Sequence, residues 1–194
     1  MVKFTENEKR ALLIIFKDFS KYYNSNSLSK KLEISRVGTM KILKNLDKNN
    51  ILKKIVIGKS SVYRINLEND YVRDTMAFLL SDEANNFNRW KNEFKELLEG
   101  ERVVMMYGSA LINYSKANDI DIMVIENKKS SIIKIINEKQ KVLPKKIHLI
   151  EISEKEFLDN LEKQKSIIEI ARTAVILYGQ SKYVEVMKNV KSNI

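Results

Sequence analysis

The sequence predicts an α+β protein in three parts: a helical unit closed by a β-hairpin, a helical linker, and a small mixed sheet with helices packed on it. Three observations carry this. Apolar residues recur at helical spacing through residues 7–48 and are followed by two short strand-like runs around Gly58-Lys59-Ser60. Residues 70–100 keep helical spacing without a turn signal of comparable strength. Beyond them, Val103–Tyr107, Asp119–Ile125 and Lys146–Ile152 are short apolar runs that read as strands, with helical patterns between and after them. The expected domains are residues 1–70, a linker over 71–100, and residues 101–194.

Composition bounds the functional classes. Of 194 residues, 44% are hydrophobic and 31% charged, which describes a globular chain rather than a disordered one. There is no Cys, so disulfides, thiol zinc sites and a Cys nucleophile are excluded, and a cytoplasmic setting is expected. The longest early apolar run, Ala11 to Phe16, is far too short to span a membrane and has no cleavage signal after it. Neither a membrane partner nor a signal peptide is expected. Net charge is +10, unevenly spread: residues 1–70 hold 15 Lys and Arg against 7 Asp and Glu, a net of +8. A polyanion partner is therefore expected in the first third.

Leu12, Ile15, Phe16 and Phe19 predict a helix over Asn7–Tyr22. Ser25-Asn26-Ser27 forms a turn that offers an N-cap to a short helix, Leu28–Leu32. Ser35 caps a longer one from Arg36 to about Lys48, with Thr39, Leu43 and Leu46 as its core stripe, Ile42 beside it and Asn49-Asn50 at its end. Ile51–Ile57 and Ser61–Leu67 make the hairpin. The face of the third helix opposite its core carries Arg36, Val37, Met40, Lys41 and Lys44, and Lys59 sits at the hairpin tip. Three helices and a hairpin, with the phrase SerLeuSerLysLysLeuGluIleSer over 27–35, resemble a winged helix-turn-helix domain across residues 5–68. The resemblance implies that the third helix enters the major groove of double-stranded DNA while the wing touches the backbone. The named lysines would then contact phosphates, and Arg36 would read bases. The plainer alternative is a winged helix used for protein contact, its lysines merely solvated.

In the linker, Phe87, Trp90, Phe94 and Leu97 form an apolar stripe that is expected to cover the third part's own core. Met76 to Leu80 is a second apolar cluster, for which cover of the same core and a homodimer interface both stand open.

The most informative stretch is Arg102 to Ile125. Its first apolar run ends on Gly108-Ser109, and nine residues later Asp119-Ile120-Asp121 opens the second. On a strand Asp119 and Asp121 share one face and Ile120, Ile122 and Val124 the other. Paired carboxylates need a counter-charge, and oxygen donors select Mg²⁺ or Mn²⁺. Gly108 lets backbone approach a phosphate, and Ser109 adds a hydroxyl. The bland alternative is two solvated aspartates on an edge strand. Strand, Gly-Ser, and Asp-x-Asp at this distance resemble the nucleotidyltransferase superfamily that includes DNA polymerase β and the minimal nucleotidyltransferases. The resemblance covers roughly 101–185, since IleLeuTyrGly at 176–179 is similar to the family's closing segment. It implies an NTP substrate held at Gly108 and Ser109, with Asp119 and Asp121 as the catalytic, metal-binding carboxylates.

The rest of the chain reads as a helix over Ser131–Glu138, a loop over Lys139–Lys145, and the strand Lys146–Ile152. A helix capped by Ser153 with Glu156 as its capping box follows, then two closing helices, Ile167–Leu177 and Tyr183–Val190. The family's third acid belongs on the strand Lys146–Ile152. His148, the chain's only histidine, stands in its slot, while the nearest carboxylate, Glu151, is on the opposite strand face. The family's usual Arg-Gly after the Gly-Ser is also absent, with Leu111, Ile112 and Asn113 there instead. The expected function is transfer of a nucleoside monophosphate to an unknown acceptor by a DNA-binding protein. The resemblance raises an antitoxin role with a protein acceptor or toxin-like partner. The alternatives are a transcriptional regulator whose second domain only binds nucleotide or dimerises and, less favoured, an RNA end-modifying enzyme.

Overall fold

The computed structural model describes residues 3–127 and 132–190. The chain divides into two compact units, one ending at Leu79 and one beginning at Leu80.

In the first unit, helix α1 (Glu6–Lys17) starts on a reciprocal capping box between Thr5 and Glu8. It ends five residues short of the expected Tyr22. Asp18 leaves the helical region, and residues beyond it swing away so that Tyr23 bridges Tyr63 while its hydroxyl donates to Asp18 Oδ2 at 2.6 Å. Helix α2 (Ser25–Leu32) begins three residues before the expected Leu28. Asn24, not the serines, is its cap, accepting from the Asn26 and Ser27 backbone N–H groups. Helix α3 (Arg36–Lys48) is capped by Ser35, with Thr39, Leu43 and Leu46 buried. Strands β1 (Leu52–Ile57) and β2 (Ser60–Ile65) pair antiparallel from Leu52–Ile65 to Ile57–Ser60. Glu8 ties α1 to α3, its Oε1 accepting from Asn45 Nδ2 at 2.7 Å.

Helix α4 (Asp70–Asn85) follows, then α5 (Asn88–Glu93) and a 3₁₀ turn, Lys95–Leu97, so the expected continuous helical stretch is broken at Asn86-Phe87. Trp90, Phe94 and Leu97 are buried against the sheet of the second unit.

That sheet has four strands in the order β5-β4-β3-β6: β3 (Val103–Tyr107), β4 (Asp119–Ile125), β5 (Lys146–Ile152) and β6 (Val175–Tyr178). β3 pairs antiparallel with β4 and β6, while β4 and β5 run parallel. A parallel pair needs a crossover, and α7 (Ile132–Val142) supplies it. The expected start of this helix at Ser131 lies outside the described residues. Its end runs past the expected Glu138 into the segment read as a loop. Short α6 (Ser109–Ile112) lies between β3 and β4, and α8 (Glu154–Lys163) carries the Ser153–Glu156 capping box.

One expected element is replaced. The helix read over Ile167–Leu177 is α9 (Lys165–Thr173), and the chain is already extended at Ala174, after which β6 completes the sheet against β3. α10 (Gln180–Lys188) closes the unit. Between β6 and α10, Gly179 has φ +77°, and any Cβ there would collide with the Arg102 carbonyl.

One sheet face is the main core: Val104, Met106, Ile120, Ile122, Val124, Ile147, Val175 and Leu177 pack with Trp90, Phe94, Ile132 and Ile136. Strand alternation then fixes which side chains stand on the other face.

Candidate active site

Burial of Ile120, Ile122 and Ile147 on the core face turns Asp119, Asp121 and His148 to the opposite one. Register does the rest. Asp121 is the cross-strand partner of Tyr107 on one side and of His148 on the other, and Asp119 is the partner of Lys146. The three donors converge at the start of the parallel pair. His148 Nδ1 lies 3.2 Å from Asp119 Oδ2 and 3.6 Å from Asp121 Oδ1. The side chains of Asp119, Asp121 and His148 are 31%, 20% and 45% exposed, so a solute can reach them while part of their hydration is already stripped.

Glu151 does not join them. The β4–β5 register runs unbroken from Asp119–Lys146 to Ile125–Ile152, without the bulge that would turn Glu151 over. Glu151 is paired with Val124, near the far end of the strand.

Gly108 is required by geometry. Its φ is +80°, and a Cβ built on it would collide with Asp121 Oδ2 and stand 3.1 Å from Asp121 Cγ. The turn backbone is thus pressed against the carboxylate, a closeness open only to glycine. Ser109 follows at the exposed start of α6.

The loop from α6 to the aspartates is pinned by an aromatic ring. Tyr114 meets Trp90 edge-on at 5.3 Å, Arg89 lies 4.3 Å from the ring centroid, and Lys145 lies 4.8 Å from it. Lys145 also donates to the Ala117 carbonyl, two residues before Asp119. These contacts are long-range, and nothing in the local pattern around Tyr114 or Arg89 announces them.

The electrostatics follow from partial burial. Desolvation pushes the Asp121 carboxyl up, the Asp119 charge adds to this, and His148 offsets only part of it. Desolvation, then Asp121 and Asp119, push the Tyr107 phenol up to about 12, so it stays neutral beside the pair. The sequence pattern assigns Tyr107 no role; its position one residue before Gly108 is the local hint, and the register that pairs it with Asp121 brings it to the site.

Residues 88–175 match the nucleotidyltransferase domain. The matched segment opens on α5, ends as β6 begins, and contains Gly108, Ser109, Asp119, Asp121 and His148. No curated protein matches the chain. Among the described residues, Asp119, Asp121 and His148 are the one group of three or more His, Cys, Asp or Glu side chains able to hold a metal ion together. Their ligand atoms all lie within 4.8 Å of one another. Ligands about 2.1 Å from an octahedral ion stand roughly 3 Å apart in neighbouring positions, close to the 3.2 and 3.6 Å that separate His148 Nδ1 from the two carboxylates. The donor set of the nucleotidyltransferase domain fits a divalent ion.

The residues expected to meet DNA stand in the other unit. Arg36, Val37, Met40, Lys41 and Lys44 are exposed on one face of α3, opposite Thr39, Leu43 and Leu46, and Lys59 is exposed at the β1–β2 turn. No helix among the described residues is long and apolar enough to cross a membrane.

Proposed function

We propose that the chain transfers a nucleoside monophosphate from an NTP to a hydroxyl of an acceptor and releases pyrophosphate. The observation that carries this reading is the convergence of Asp119, Asp121 and His148 beside the Gly108-Ser109 turn, inside the segment that matches the nucleotidyltransferase domain. Asp119 and Asp121 hold a divalent cation, Mg²⁺ or Mn²⁺ by the preference of carboxylates. Such an ion neutralises charge on the phosphates and on the attacking oxygen. Gly108 brings backbone within reach of the triphosphate, and the Ser109 hydroxyl adds a donor. Tyr107, neutral at physiological pH, adds no third negative charge next to the phosphates. The acceptor oxygen forms its bond to the α-phosphorus as the α–β bridging bond breaks. Pyrophosphate leaves with the electron pair, and the acceptor's proton is lost to water.

The first unit would bring this activity to double-stranded DNA as a winged helix-turn-helix. The exposed Arg36, Lys41 and Lys44 face, the Lys59 tip and the net +8 of residues 1–70 support that reading. A protein acceptor, such as a toxin-like partner, is one source of the hydroxyl. A second reading is favoured by His148, which stands where the resemblance implies a third carboxylate: a regulator whose second domain binds nucleotide without transferring it.

Incubation with Mg²⁺ or Mn²⁺, labelled NTPs and cell lysate tests the proposal. Transfer predicts label covalently attached to an acceptor by wild type and not by Asp121→Asn. Nucleotide binding without label incorporation would select the regulator.

A further inference from the structure

We propose that Asp119, Asp121 and His148 form a two-carboxylate, one-imidazole site that holds a single transition-metal dication through His148 Nδ1 in preference to Mg²⁺. This rests on the reading of the site as metal-dependent and replaces the ion that the two carboxylates alone would select with one that the imidazole also suits.

The donor set carries the argument. Oxygen-only sites suit Mg²⁺, which binds imidazole poorly, while imidazole nitrogen suits Zn²⁺ and its neighbours. Here the nitrogen is not peripheral. His148 is the direct β5 partner of Asp121, and its Nδ1 is aimed at both carboxylates, 3.2 and 3.6 Å from their nearest oxygens. An ion seated between Asp119 and Asp121 therefore meets Nδ1 as its third protein ligand. No fourth acidic or imidazole side chain joins the group among the described residues. Two carboxylates and a neutral imidazole carry two negative charges, which one dication neutralises. A second dication would have to be held by charges that the substrate brings. Lys146, the strand partner of Asp119, makes the protein still less able to hold two. The rigid parallel register fixes these positions, so the choice of ion is built into β4 and β5.

The chain has one histidine, which makes the test unambiguous. Untagged, full-length protein labelled with ¹⁵N-histidine is titrated with Zn²⁺ or Mg²⁺ alone, without nucleotide, while the ring nitrogens are followed by NMR. One equivalent of Zn²⁺ should move the Nδ1 resonance far more than Nε2, and Mg²⁺ should leave both in place. In parallel, calorimetry gives the Mg²⁺-to-Zn²⁺ ratio of dissociation constants for wild type and for His148→Asp, which restores an all-oxygen set. The ratio should fall about tenfold or more in the variant, equivalent to ~1.4 kcal/mol. A Nδ1 signal indifferent to Zn²⁺, or an unchanged ratio, would overturn the inference and leave His148 as a counter-charge to the aspartates. Label transfer supported by Mg²⁺ while Nδ1 stays silent sinks this inference alone. A responding Nδ1 with no transfer under any metal sinks the transferase reading and leaves the metal site standing.

Discussion

Glu8 and Asp121 are carboxylates drawn partly out of water, one in each compact unit, and the protein treats them in opposite ways. Burial pushes the Glu8 carboxyl up, but hydrogen bonds from the Thr5 backbone, Asn45 and the Thr5 hydroxyl outweigh it and hold the group below its ordinary value. Burial also pushes Asp121 up, and there Asp119 pushes further, with His148 as the partial relief. Glu8 is satisfied by donors at the α1 cap and on α3, and ties those helices together. Asp121 is left with an unmet demand for positive charge, facing a turn that only glycine can make. A partly buried acid with enough donors is a fastener, and one with too few is a place where a cation is favoured.

The comparison can be broken most severely at Gly108. Gly108→Ala places a methyl where Asp121 Oδ2 stands and forces an L residue to φ +80°. Backbone strain of this kind costs about 1–3 kcal/mol. We expect a loss of that order in urea melts, together with loss of any metal- or nucleotide-dependent rise in Tm. Asp121→Asn separates the two effects. Wild type should gain about 2.7 kcal/mol from Mg²⁺ or Mn²⁺ with NTP at a hundredfold excess over Kd. The variant should gain almost none, yet without ligand it should be as stable as wild type or more so. A wild-type Tm indifferent to Mg²⁺, Mn²⁺ and Zn²⁺ with each of the four NTPs would remove the nucleotide site.

At the other pole, Glu8→Ala strips the α1 capping box and leaves Asn45 Nδ2 without its partner. Denaturant melts should show a loss of about 1–2 kcal/mol, unaffected by NTP. Charge reversal at Lys41 and Lys44 should leave stability nearly unchanged, because both are exposed. It should flatten the log–log salt dependence of DNA binding by about one for each phosphate no longer neutralised. An unchanged slope would mean that α3 does not face DNA.

The smallest effect is in pH dependence, and its sign distinguishes the two acids. The folded-state value of Glu8 is lowered, so its contribution to stability is present above the unfolded value and is lost as pH falls through the folded one. That of Asp121 is raised, so stability drops as pH rises from the unfolded value through the folded one. Without metal, Glu8→Gln should flatten the first limb and Asp121→Asn the second. Stability measured across the acid range would show both, and limbs of equal sign would contradict the contrast.

Much of the molecule is legible locally. The Asp-x-Asp alternation, the β5 bounds and the Ser35 and Ser153 caps depend on neighbours in sequence, and the structure places β4, β5, α3 and α8 on those residues. β6 is not legible in this way. Ile167, Ile170, Ala171, Ala174 and Leu177 keep helical spacing straight through Thr173, so periodicity alone continues α9. What ends it is the open edge of β3, a long-range partner that accepts Val175–Tyr178 as a strand. The same limit hides Tyr114, whose partners Arg89, Trp90 and Lys145 come from both sides of it in the chain. At Glu151 and His148 the sequence offers two candidates, and only an unbroken strand register separates them in space.

The mixed sheet has a consequence for the order in which the molecule assembles. β3 and β4 are joined by residues 108–118, a shorter connection than the 126–145 between β4 and β5, and can zip together early, carrying Gly108 and both aspartates. His148 arrives only when α7 has crossed over and β5 docks parallel to β4, a non-local pairing that forms slowly because its loop must close first. During refolding the acid pair is thus expected to exist for a time without its imidazole. Pulse-labelled hydrogen exchange should find β3 and β4 amides protected before those of β5.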